Sequence, residues 1–120
     1  MANPVVVTID SNGFTPCNVT LYQSNPSDSR QNSVKWVNNS QNSISWSCNT
    51  AATFLATQAP PNGSSPASPN AAISANSSLT LWVKDNAAVG TGVSNEYLLK
   101  NGNTTLNCIT QAPPDIMIEP

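Results

Sequence analysis

Apolar and polar positions alternate along much of this chain with a period of two, the pattern of strands that bury one face. Val5-Val6-Val7-Thr8-Ile9 is β-branched and stops at the turn residues Asp10-Ser11-Asn12-Gly13. Val19 to Gln23 alternates, Ser33 to Val37 puts Val34 and Trp36 on one face, and Ile44, Trp46 and Cys48 face opposite Ser45 and Ser47. Further on, Leu79, Leu81 and Val83 share a face, with Trp82 beside Thr80 and Lys84 on the other. Glu96 to Lys100 runs into Asn101-Gly102, a strong hairpin signal, followed by Thr104 to Cys108. Pro113-Pro114-Asp115 then leads into a last strand, Ile116 to Glu119. Short strands without a helical period predict an all-β fold, a Greek-key β-sandwich of seven or eight strands forming a single domain over residues 1–120.

The pattern dissolves between residues 49 and 76 into Thr, Ala, Pro, Ser and Asn. Pro60, Pro61, Pro66 and Pro69 exclude a continuous helix or a central strand there. The expectation is a long irregular insert, anchored to the core only by Phe54-Leu55.

Composition changes the functional picture more than the fold. Only 8% of the 120 residues are charged, histidine is absent, and 17 Asn, 16 Ser and 11 Thr make the chain polar but neutral. Without imidazole there is no Ser-His or Cys-His pair, no His-ligated metal and no side chain with an ordinary pKa near neutrality. No serine stands three residues before a lysine, and Asp115 and Glu119 lie on one strand face about 13 Å apart by strand rise, so neither pattern reads as an enzyme. Four cations are too few to neutralise a phosphate backbone, so nucleic acid is not an expected partner. The uncharged stretch from Trp36 to Val83 is too polar to span a membrane.

Cys17, Cys48 and Cys108 are widely spaced, with no C-x-x-C. The first reading is that all three are buried core thiols, and the second is a disulfide between Cys48 and Cys108. The N-terminus as given lacks a basic region followed by an apolar one, so no signal peptide is read there, while the composition leans extracellular or periplasmic.

Several of these pieces, in order, resemble the cupredoxin family. The resemblance rests on V-x-I-x-x-x-G-F-x-P as Val7, Ile9, Gly13, Phe14 and Pro16, on V-x-W-x-N as Val34, Trp36 and Asn38, and on a closing strand, cysteine, proline-bearing loop and strand. It implies a cupredoxin-like sandwich. It also implies where a copper site would lie: the first His falls near Ile44, the thiolate at Cys108, and Met117 lies beyond it. Both strong nitrogen donors are missing, so the resemblance implies a scaffold with a vestigial thiolate position and no metal or other cofactor.

The expected function is therefore a non-catalytic binding or interaction module, recognising neutral carbohydrate or a protein surface. The candidate binding residues are outward aromatics, Trp82 and Tyr22, and loop amides, Asn38, Asn39, Gln41, Asn42 and Gln111. The alternative is a structural, self-assembling subunit forming a homo-oligomer, because few charges protect the strand edges.

Overall fold

Residues 3–23, 30–59, 65–85 and 92–120 are described by the structure, a computed structural model. The β-branched N-terminal run forms β1 (Val5–Asp10) and turns tightly into β2 (Gly13–Thr15). Gly13 has φ 141°, and a Cβ there would collide with the Asn107 carbonyl oxygen, so only glycine fits this approach. The chain continues through β3 (Asn18–Tyr22), β4 (Ser33–Asn38), β5 (Ile44–Ser47), the short helix α1 (Ala51–Phe54), β6 (Leu55–Ala56) and β7 (Asn70–Ile73). It closes with β8 (Ser78–Val83), β9 (Val93–Glu96), β10 (Leu98–Asn101), β11 (Thr104–Thr105) and β12 (Asp115–Glu119).

These strands build three sheets among the described residues, of order β2-β1-β4-β8-β6, β11-β10-β5-β7 and β3-β12-β9. Pairing is antiparallel except between β1 and β4 and between β3 and β12. The fold is all-β and sandwich-like, and no described helix is long and apolar enough to cross a membrane. One apolar cluster fills the interior, with Val7, Ile9, Val34 and Trp36 from the first sheet, Ile44, Trp46 and Leu99 from the second, and Val19, Leu21, Ile116 and Ile118 from the third. Each fully buried aliphatic side chain contributes roughly 1.5–3 kcal/mol relative to exposure, so these alternating positions drive the fold.

Among the described residues twelve strands appear where seven or eight are expected, and the difference has three sources. The Gly13–Thr15 segment pairs with β1 as a separate strand. The expected Glu96 to Lys100 strand divides at Tyr97. The 49 to 76 insert, expected to be irregular, supplies two more: β6 pairs with β8, and β7 forms the edge beside β5. Its order comes from burial of Ala51, Leu55, Ala56, Ala67 and Ile73. Pro66 and Pro69 stand outside its strands, and Pro60 and Pro61 lie outside the described residues. Conversely, the expected strand Thr104 to Cys108 keeps only Thr104–Thr105 in a ladder, with Cys108 making a single bridge to Phe14.

That bridge explains a second correction. The disulfide joins Cys17 to Cys108, not Cys48 to Cys108, with 5.4 Å between their Cα atoms. The 107–109 segment runs beside β2, where the Ile109 N–H donates to the Phe14 carbonyl at 3.0 Å, and this places Cys108 next to Cys17. Cys48 instead follows β5, its N–H bonded to the Pro69 carbonyl, and stays a buried thiol. The bridge closes a 91-residue separation, which the chain-entropy argument values at roughly 4–5 kcal/mol.

Asn38 is a structural hub rather than a surface amide. Its side chain is fully buried; its amide nitrogen donates to the carbonyls of Asn42 (2.8 Å) and Ile73 (2.9 Å), and its oxygen accepts from the Ser40 N–H (3.0 Å) and hydroxyl (2.7 Å). It thus ties the loop after β4 to the end of β7. Asn38→Ala is expected to lower unfolding free energy by about 2–4 kcal/mol, because these buried groups lose their partner. Urea denaturation checks this, and an unchanged midpoint would contradict the hub.

Candidate functional site

The residues predicted to bind do not share one surface. Asn39, Gln41 and Asn42 are exposed on the loop after β4, while Asn38 beneath them is inaccessible. Trp82 is half-buried and pairs with Ser33, five positions along β4 from Asn38, a separation of about 16 Å by strand rise. Tyr22 is also half-buried, near the Gln31 end, with the Arg30 guanidinium 4.9 Å from its ring centre. The Trp82 flank also carries β6 of the 49–76 segment, since Ala56 is its partner across the β6–β8 ladder. An aromatic platform edged by the loop amides is therefore not assembled. Gln111, exposed in the turn after Cys108, has φ 62°.

A different site emerges from Tyr97. Its ring is buried against Trp36 (5.4 Å between centres) and Trp46 (6.5 Å), with Phe14 at 6.1 Å, so elements from opposing sheets hold it. On either side of it the chain changes partners. β10 pairs with β5 as far as Leu98↔Ser47, whereas β9 pairs with β12 through Asp115↔Glu96. Continuing the β5–β10 register would set Glu96 opposite Asn49, but among the described residues no backbone hydrogen bond joins them. The ladder opens there into a wedge.

Three adjoining hollows follow this wedge. The central one, of about 350 Å³, is bounded by Cys48, Asn49, Glu96, Leu98, Pro113 and Pro114. A second of about 290 Å³ extends past Leu98 and the proline pair to Leu106 and Gln111. A third of about 380 Å³ lies between Asn49-Thr50 and Ser94-Glu96. Leu98 is 46% exposed, so the cleft has an apolar wall open to solvent.

The polar side of the cleft is β9. Tyr97 N–H donates to the Pro114 carbonyl at 3.3 Å, and antiparallel alternation then directs the main chain of Asn95 and Val93 toward β12. The N–H and C=O groups of Ser94 and Glu96 consequently point out of the sheet into the wedge. Glu96 and Asp115 are direct cross-strand partners, and the Ser94 hydroxyl donates to Asp115 at 2.6 Å. At the inner end, Thr50 Oγ1 bonds to Asn95 Oδ1, closing the floor.

Among the described residues no three His, Cys, Asp or Glu side chains cluster as a metal site. Cys108, joined to Cys17, has no thiolate to offer in the disulfide form. Free main-chain groups and an apolar wall suit the cleft to noncovalent binding. Of the predicted binding residues, Gln111 alone lines it; Asn49, Ser94, Glu96 and Leu98 were not anticipated. Only Leu98 had a signal, an apolar residue on the outward parity of Glu96 and Lys100. No family model, curated protein or solved structure matches the chain.

Burial pushes the Tyr97 phenol up from 10.0 to about 12, and the Asp115 charge acts in the same direction. The Trp36 indole opposes the shift without meeting hydrogen-bond geometry with the hydroxyl. The unfolded chain therefore loses this proton near pH 10 while the folded one keeps it to about 12, so stability falls as pH rises through that window. Denaturant melts are expected to show a loss of roughly 2–3 kcal/mol there that Tyr97→Phe lacks. Parallel pH profiles for the two proteins would contradict this.

Proposed function

We propose that this chain is a non-catalytic, cupredoxin-like interaction module that holds a protein partner in the cleft between β9 and the Cys48–Thr50 segment. The observation that carries this reading is the opening of the β5–β10 ladder at Asn49 and Glu96, which leaves main-chain hydrogen-bonding groups beside the apolar wall of Leu98, Pro113 and Pro114. A protein partner can satisfy both, by burying Leu98 and pairing with the free groups. A neutral glycan has less support, since Trp82 and the loop amides stand at different ends of β4.

The cupredoxin resemblance remains a proposal about the scaffold. It is supported by the sandwich-like strands and by burial of Phe14, Val34 and Trp36. Where that family places a thiolate and a first histidine, this chain has the disulfide sulfur of Cys108 and the buried Ile44. A structural disulfide suits an oxidising compartment, in keeping with the extracellular or periplasmic lean of the composition.

Self-association is the second reading, favoured by the uncharged strands β3 and β7 at sheet edges. A chain that sediments as a monomer at every concentration removes it.

Peptide-display selection against the wild-type protein tests the first reading. Selected binders are expected to lose about tenfold in affinity on Leu98→Asp, a substitution at an exposed site that leaves the core intact. Binders indifferent to Leu98→Asp, or a selection that yields none, would contradict it.

A further inference from the structure

We propose, building on that reading of the cleft, that its occupant is an extended polypeptide segment carrying a Lys or Arg, added as a strand to the free edge of β9. The sequence of contacts around β9 sets the geometry. Val93, Asn95 and Tyr97 direct their main chain toward β12 and Pro114, so Ser94 and Glu96 present N–H and C=O groups with the two-residue spacing that an incoming strand requires. Among the described residues no backbone group pairs with either. An added strand lies about 4.8 Å from β9. The hollow between Ser94-Glu96 and Asn49-Thr50, of about 380 Å³, occupies that position.

The same edge selects the side chain. Ser94 and Glu96 are exposed on the outer face of β9, while Asn95 between them is buried. Glu96 stands directly across from Asp115 of β12, a like-charge cross-strand pair of the kind that destabilises a ladder. The Ser94 hydroxyl supports Asp115, and nothing described neutralises Glu96. A cationic side chain from the added strand falls on this face and relieves the repulsion. Next to it, Leu98 and the proline pair offer an apolar wall to an aliphatic side chain two residues from the cation, on the same face of the segment.

Amide-resolved NMR titration tests the assignment with four synthetic pentapeptides: Val-Thr-Lys-Thr-Val, its Glu analogue, and two forms of the Lys peptide N-methylated at alternate amides, one in each register. The Lys peptide is expected to shift and protect the Ser94 and Glu96 amides. It should bind about tenfold tighter than the Glu analogue, a preference that collapses in Glu96→Gln. The N-methylated peptides, which keep the side chains but cannot pair, should not bind. No binding of the Lys peptide at about 1 mM, or shifts that avoid Ser94 and Glu96, would overturn the proposal.

Equal binding of the N-methylated peptides would overturn strand addition. If Leu98→Asp still abolished that binding, the cleft would keep its role as the interaction site. Binding of every peptide that ignores Leu98→Asp would overturn both. Self-association of the free protein that protects the same two amides would put a second copy in the slot and also overturn the peptide assignment.

Discussion

The packing of Tyr97 between Trp36 and Trp46 is the constraint on which the rest of this molecule depends. The two indoles meet edge to face, 5.2 Å between ring centres, and the phenol ring joins both. Trp36 belongs to the sheet containing β1, β4 and β8, and Trp46 to the sheet containing β5, while Tyr97 sits at the point where the third sheet departs. Aromatic pairs of this kind add about 0.5–1.5 kcal/mol each beyond their area. The cluster fixes one residue of a continuous extended segment while its two flanks go to different partners.

From that fixed point the wedge follows. β10 stays with β5 and β9 leaves to join β12, so the ladder ends at Leu98 and Ser47. The Cys17–Cys108 disulfide and the Asp115 N–H to Cys17 carbonyl bond hold the start of β12 against β3, which keeps β9 from closing back on Asn49. The opening is thus bounded by covalent and hydrogen-bonded structure on the β12 side, and among the described residues the main-chain groups of Ser94 and Glu96 have no backbone partner.

The sequence pattern revealed the inward faces well. Val34 and Trp36, Ile44 with Trp46 and Cys48, and Leu81 with Val83 are buried as their alternation requires. The division at Tyr97 was invisible for a physical reason. Glu96, Leu98 and Lys100 remain outward and Tyr97 and Leu99 inward across it, so the period of two is unbroken while the hydrogen-bonding partner changes. Periodicity reports faces and carries no information on edges. Asn38 was legible in principle, since it continues the inward parity of Val34 and Trp36, but its amide suggested a surface role. The order of the described residues within 49–76 rests largely on the buried Ala51, Ala56 and Ala67, whose small side chains give little periodic signal, and the cysteine pairing is a fact of topology.

Hydrogen exchange at single amides of the free protein tests the open ladder most directly. The Tyr97 and Asn95 N–H groups, directed at Pro114 and Ile116, should exchange slowly, while those of Ser94 and Glu96 on either side should exchange near the unprotected rate. Uniform slow exchange from Val93 through Leu98 would mean that β9 is already paired on both edges, and would contradict the account.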